Sequence, residues 1–244
     1  PENIYLVEEQ SISFNEPSQH SSILIRENEK HFIFDYGSGS LEYTMPGATY
    51  VQMEDAENSA CFHIPLDAGS CDDCVVIQTY QEDAARWNGK IETTLNISLL
   101  ESDTEFDDIQ GPLIFLSQQN RTINEGSAIF PNMDLTVSLI DEYGINLMET
   151  IGHGIRYEFD NNGLVLVSGN EFIYADCDSG SVIIPVPILS PGKHEFYLEA
   201  WDGLNNKSSR EIYFDLLPTI DEDRFHLSEV FPVPSPFSNN THFT

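Results

Sequence analysis

Basic residues are scarce: Lys and Arg total 10 against 41 Asp and Glu, a formal net charge of −31 over 244 residues, with a sequence pI near 4.1. Phosphate backbones and anionic lipid surfaces both need cationic neutralisation, so this balance argues against nucleic acid or a membrane surface as a partner. Long apolar runs are missing too. Nothing approaches the roughly 20 consecutive apolar residues of a bilayer-spanning helix, and no transmembrane segment is expected. Amphipathic patterns of helical length are also absent, as is a signal peptide. The chain opens at Pro1-Glu2-Asn3-Ile4 without Met and stops at Phe243-Thr244 inside a strand-like run, so the expectation is a fragment whose export signals lie outside it.

Cysteine is sparse, with Cys61, Cys71, Cys74 and Cys177. The Cys71-Asp72-Asp73-Cys74 spacing suits a redox pair or half a zinc knuckle, but no second CxxC follows and no His stands at ligand spacing. A disulfide within the first half, drawn from Cys61, Cys71 and Cys74, is expected, with Cys71–Cys74 as the candidate pair. Cys177, lacking a neighbour in its own half, is expected to be a free, partly buried thiol.

What is present is a full complement of core formers: 40% hydrophobic and 11% aromatic residues against 21% charged. That composition folds. The periodicity is that of short strands, such as Ile23-Leu24-Ile25, His31-Phe32-Ile33-Phe34, Val75-Val76-Ile77-Gln78-Thr79-Tyr80, Leu135-Thr136-Val137-Ser138-Leu139-Ile140 and Arg210-Glu211-Ile212-Tyr213-Phe214, bounded by Gly, Asn, Ser and Asp. In the run from His194 to Trp201 the alternation assigns Phe196, Leu198 and Ala200 to the core. The chain therefore reads as all-β, in the form of two tandem immunoglobulin-like β-sandwiches. Acidic, apolar-poor stretches mark the boundaries: residues 1–106 form one sandwich, 107–217 the second, and 218–244 a linker with the start of a C-terminal sorting domain. Pro232, Pro234 and Pro236 interrupt any regular ladder there.

Candidate chemistry is thin. Nucleophilic catalysis by cysteine needs a thiolate beside a His base, and neither His63, two residues after Cys61, nor His153 in its Gly-flanked loop offers that geometry. No catalytic residue is assigned. Oxygen ligands do gather in turns of the second half, where Asp160, Asn162, Asp176, Asp178 and Asp202 are candidate calcium ligands. Asx residues also favour such turns without any metal, because they hydrogen-bond their own backbone. Trp201 reads either as a sugar-stacking platform or as an edge aromatic packed on the next turn.

Several runs carry a resemblance: Asp107-Asp108-Ile109-Gln110-Gly111-Pro112, Asp141-Glu142-Tyr143-Gly144-Ile145-Asn146, Gly152-His153-Gly154-Ile155, Tyr174-Ala175-Asp176-Cys177-Asp178-Ser179-Gly180, and the stretch 192–206 that ends in Trp201-Asp202-Gly203-Leu204-Asn205-Asn206. In order and spacing they resemble the domain that follows the catalytic domain in gingipain-like cysteine peptidases, especially sortase-type members of the Bacteroidetes type IX secretion system. Val230-Phe231-Pro232-Val233-Pro234-Ser235-Pro236-Phe237 is similar to the YPNPF opening of that system's C-terminal domains, with Val233 and Ser235 departing from it. The resemblance covers 107–244 and is faint before that. It implies a parent that cleaves peptide bonds with a Cys-His pair located upstream of Pro1, and a fragment that is not itself an enzyme. It also implies, as partners, the upstream catalytic domain of the same chain and the secretion machinery, and a location that is secreted or at the outer-membrane cell surface. A calcium-dependent carbohydrate-binding or adhesion module is the alternative.

Overall fold

The computed structural model describes residues 3–13, 21–37, 39–54, 59–81, 90–149, 152–219, 232–233 and 242–243. The protein is all-β. Its strands are β1 (Asn3–Tyr5), β2 (Gln10–Ser13), β3 (Ser21–Glu27), β4 (Lys30–Asp35), β5 (Ser40–Met45), β6 (Thr49–Met53), β7 (Ser59–Phe62), β8 (Cys71–Gln81) and β9 (Lys90–Leu100) in the first half. The second half holds β10 (Leu113–Gln118), β11 (Arg121–Thr122), β12 (Ser127–Ile129), β13 (Leu135–Ile140), β14 (Arg156–Phe159), β15 (Val165–Leu166), β16 (Ile173–Tyr174), β17 (Ser179–Ile184), β18 (Gly192–Trp201) and β19 (Lys207–Leu216). A short pair, β20 (Pro232–Val233) and β21 (His242–Phe243), lies near the C-terminus; the rest of the expected sorting segment, from 220 on, lies outside the described residues. Among the described residues no helix is long and apolar enough to cross a membrane.

One ten-stranded sheet runs through both halves in the order β1-β9-β8-β3-β6-β16-β17-β13-β10-β11. The halves meet edge to edge where β16 pairs parallel with β6 at Tyr174↔Met53. A five-stranded sheet, β12-β19-β18-β14-β15, lies over the second half. The buried side chains of β13 (Leu135, Val137, Leu139) and β17 (Val182, Ile184) share a core with Phe196, Leu198 and Ala200 of β18 and with Ile212 and Phe214 of β19. The Phe196 face of β18 is thus the core face, as the period-two alternation indicates. In the first half, Ile23, Ile25, Val51, Val75 and Ile77 are buried in the same continuous cluster as Phe62 of the β2–β7 ribbon.

Two features differ from the sequence expectations. Cys177 is not a free thiol: it forms a disulfide with Cys61, 116 residues away, while Cys71 pairs with Cys74. The reason is spatial, since the β6–β16 pairing carries the segment after β16 alongside the β7 region of the other half. The acidic stretch 101–112, which marks the expected boundary between the two halves, also does not hang free. Phe106 packs edge-on against Tyr143 at 5.5 Å, Ser102 and Thr104 hydroxyls donate to Glu8, and Gly111 lies so close to Lys207 that a Cβ there would meet its backbone at 2.5 Å.

Candidate functional site

The densest polar cluster lies where the halves join. The 3-10 turn Leu66–Ala68 of the first half is anchored by a bond from the Leu66 N–H to the Gly203 carbonyl, and the Gly203 N–H in turn donates to Gly144. Gly203 is needed for this approach, because a Cβ would come within 2.3 Å of the Tyr143 carbonyl oxygen. Asp67, carried by the turn, is clasped from the second half. It accepts from Asn146 Nδ2 at 3.0 Å and from Asn205 Nδ2 at 2.8 Å, and His153 Nδ1 lies 2.5 Å from its Oδ2. Asn146 is fully buried and satisfied, giving its amide to Asp67 and Asn205 and accepting the Met148 N–H. The His153 ring sits 4.3 Å from that of Trp201, and Lys207 Nζ lies 5.9 Å from the Trp201 ring. Trp201 is therefore packed against its own neighbourhood.

Beside this clasp, Asp108, Asp141 and Asp202 each place a carboxylate oxygen within 4.8 Å of the others. Asp202 is fully buried and Asp141 nearly so. Burial pushes the Asp141 carboxyl up to about 7; the Tyr143 N–H pulls against that shift, while Asp202, Asp108 and Glu142 add to it by repulsion. Asp202 is also raised by burial, opposed by the side-chain and backbone N–H groups of Asn206 and by the Leu204 N–H. Three oxygens at this separation could hold a hard cation, which would reverse the repulsion that raises both groups. The Tyr174 hydroxyl, wholly buried alongside, donates to the Ile145 carbonyl and accepts the Ile145 N–H, and burial pushes its phenol upward.

The five residues proposed from sequence as calcium ligands do not form one group. Asp202 alone among them belongs to the carboxylate trio. Asp160 accepts from His194 Nδ1 at 2.7 Å and from the Glu195 N–H at 2.9 Å; against a burial penalty, these bonds hold its carboxyl below the usual range. Asp176 Oδ1 accepts the Asp178 and Ser179 N–H groups and the Ser179 hydroxyl. Asp178 faces His63 Nε2 at 3.6 Å; burial raises its carboxyl while His63 lowers it. Asn162 is exposed, with its backbone N–H on the Phe159 carbonyl. Asp176 builds the self-bonding turn that Asx residues favour, while Asp160 and Asp178 are engaged by groups far away in the chain.

Asp108, Asp141, Asp67, Asn146 and Asn205 were not singled out from sequence as site residues. A signal existed for four of them, since Asp108, Asp141, Asn146 and Asn205 each fall within a run that carried the family resemblance. All four cysteines are disulfide-bonded, so none offers a thiolate.

No protein-family model matches the chain, and no curated protein matches it. Among solved structures it is similar to dimeric latent PorU from Porphyromonas gingivalis, with 17% identity and a TM-score of 0.47 over 95% of this chain and 24% of that one. It is similar more weakly to the endo-beta-1,4-mannanase of Thermotoga petrophila, with 11% identity and a TM-score of 0.31 over 46% of this chain and 21% of that one. The chain thus spans about a quarter of the length of the first of these structures.

Proposed function

We propose that this chain is the non-catalytic β-sandwich scaffold of a secreted or cell-surface gingipain-like cysteine peptidase, linking an upstream catalytic domain to a type IX secretion C-terminal tail. In this reading residues 1–106 and 107–217 are two sandwich units, the second immunoglobulin-like, and the peptide-bond chemistry belongs to the parent. The observation that carries the scaffold role is the Cys61–Cys177 disulfide across the edge-to-edge sheet junction. It stiffens the joint between the halves and persists only in an oxidising compartment such as a periplasm or cell surface. The motif resemblance over 107–244 supports the parentage. Intact-mass and peptide mapping of the protein taken from its native source test both parts. A Cys61–Cys177 bridge in a polypeptide continuous with an upstream peptidase domain is expected; reduced thiols, or a mature chain without such a domain, would contradict the proposal.

The alternative, a calcium-dependent carbohydrate-binding or adhesion module, has the carboxylate trio Asp108, Asp141 and Asp202 in its favour. Calorimetric titration with Ca²⁺ and then with a glycan panel separates the two. Saturable binding of both supports the module, and silence leaves the scaffold.

A further inference from the structure

The hairpin that joins β14 to β15, at the edge of the five-stranded sheet, has a tip whose backbone is pinned. Asp160 and Asn161 adopt positive φ, 53° and 55°, and the Asn162 N–H closes the turn on the Phe159 carbonyl at 3.1 Å. The Asp160 carboxylate accepts from His194 and from the Glu195 N–H, and Asn161 Nδ2 donates to Glu195 Oε2 at 3.2 Å. The Gly163 N–H donates to Glu158 Oε2, also at 3.2 Å. Against this fixed frame the Asn162 side chain is loose: the residue is exposed, and its amide group makes no hydrogen bond among the described residues.

Asparagines elsewhere in the fold are tied down, such as Asn28 by Asp73, Asn146 by Asp67 and Asn206 by Asp202. Asn162 also differs in its successor, since among the described residues it alone of the asparagines precedes a glycine. The other Asn-Gly pair of the sequence, Asn88-Gly89, lies outside the described residues. When the backbone nitrogen of the next residue attacks an asparagine side-chain carbonyl, a five-membered imide closes within the chain. The step needs a side chain free to swing, a successor without a Cβ to crowd the ring, and a base for the N–H proton. All three meet here. Gly163 has a φ of 104° and open space where a Cβ would stand, and its N–H is already directed at a carboxylate.

We propose that Asn162-Gly163 is a self-modifying site in which Glu158 acts as the base. Glu158 takes the proton from the Gly163 nitrogen as that nitrogen bonds to Asn162 Cγ. The proton passes on to the amide nitrogen, the Cγ–N bond breaks, and ammonia leaves a succinimide. Water then opens the ring at one carbonyl or the other, giving aspartate or isoaspartate, so the net reaction consumes one water and releases one ammonia. No oxidant, metal or second protein is required. The product sets a new carboxylate beside Glu158, and the isoaspartyl form adds a carbon to the backbone. Like charges at that distance repel, and the pairing of Arg156 with Leu166 and of Tyr157 with Val165 loosens. The site is a slow, irreversible mark of age at a sheet edge, and it is independent of the parentage proposed above.

The test holds the whole oxidised chain at neutral pH and physiological temperature and samples it over time. Peptide mapping by mass spectrometry reads the amide-to-acid change at Asn162, and a methyltransferase specific for isoaspartate labels that product. Asn162 is expected to convert ahead of every other described asparagine. Glu158→Gln keeps an acceptor for the Gly163 N–H but removes the base. It should slow conversion in the native chain by about tenfold, less than a positioned base commonly contributes because the route through hydroxide remains open. In urea, where the fold no longer holds Glu158 in place, the parent and the variant should convert at one rate. Equal native rates overturn the proposal. So does faster conversion in the variant, which would mean that Glu158 shields the N–H, or a native chain in which Asn162 stays intact while other described asparagines convert.

Discussion

Asp141 shows how a single side chain can be held against its own solvation. Its carboxyl is nearly buried and faces Asp202 and Asp108, and it accepts the Tyr143 N–H. A folded-state value of about 7 against 3.8 unfolded means that the native protein binds this proton more tightly than the unfolded chain does. The contribution is therefore favourable below about pH 3.8 and is lost as pH climbs to about 7, with a ceiling of about 4 kcal/mol at 1.4 kcal/mol per unit. Asp141→Asn keeps the shape and removes the charge. It is expected to raise stability at pH 7 by about 1–3 kcal/mol and to flatten the profile between pH 4 and pH 7, which denaturant titrations at stepped pH would read directly. An unchanged profile would mean that the carboxylate is relieved in some other way, such as by a bound cation.

At the scale of the element, the junction rests on close backbone approach rather than on side-chain bulk. Gly203 links the Leu66–Ala68 turn to Gly144, and the Tyr143 carbonyl fills the space a Cβ would need. Gly203→Ala is accordingly expected to cost about 1–3 kcal/mol by overpacking and to speed hydrogen exchange at Leu66 and Gly203 before it reaches β18. Strands such as β13 and β18 were legible in the sequence because a period-two alternation is written locally: Leu135, Val137 and Leu139, then Phe196, Leu198 and Ala200. The joint was not legible, because its contacts, such as the Met53–Tyr174 pairing and the Leu66 N–H on Gly203, join residues far apart in the chain. The same holds for the cysteines. Local spacing groups Cys71 with Cys74, but only the three-dimensional path of the chain after β16 shows that Cys177 meets Cys61. For the site, turn composition picked out Asp160, Asp176 and Asp178, of which only Asp176 has its side chain bonded within its own turn. It missed Asp108 and Asp141, whose significance arises only where they converge with Asp202.

Across the whole molecule, a continuous sheet, a shared core cluster and one long-range disulfide make the halves mechanically a single body. In a chain-entropy model a loop of 116 residues confers up to about 5 kcal/mol, whereas the three-residue separation of Cys71 and Cys74 confers roughly 2. The two bridges thus differ in role: one holds the halves together, and the other closes a short bend beside the base of the β4–β5 ribbon. Scanning calorimetry of the oxidised chain, beside Cys61→Ala with Cys177→Ala, tests the unity of the two halves most directly. One cooperative transition is expected for the parent chain, and a midpoint lower by about 10 °C in the double variant. Two independent transitions in the oxidised parent, or a midpoint indifferent to loss of the bridge, would contradict it.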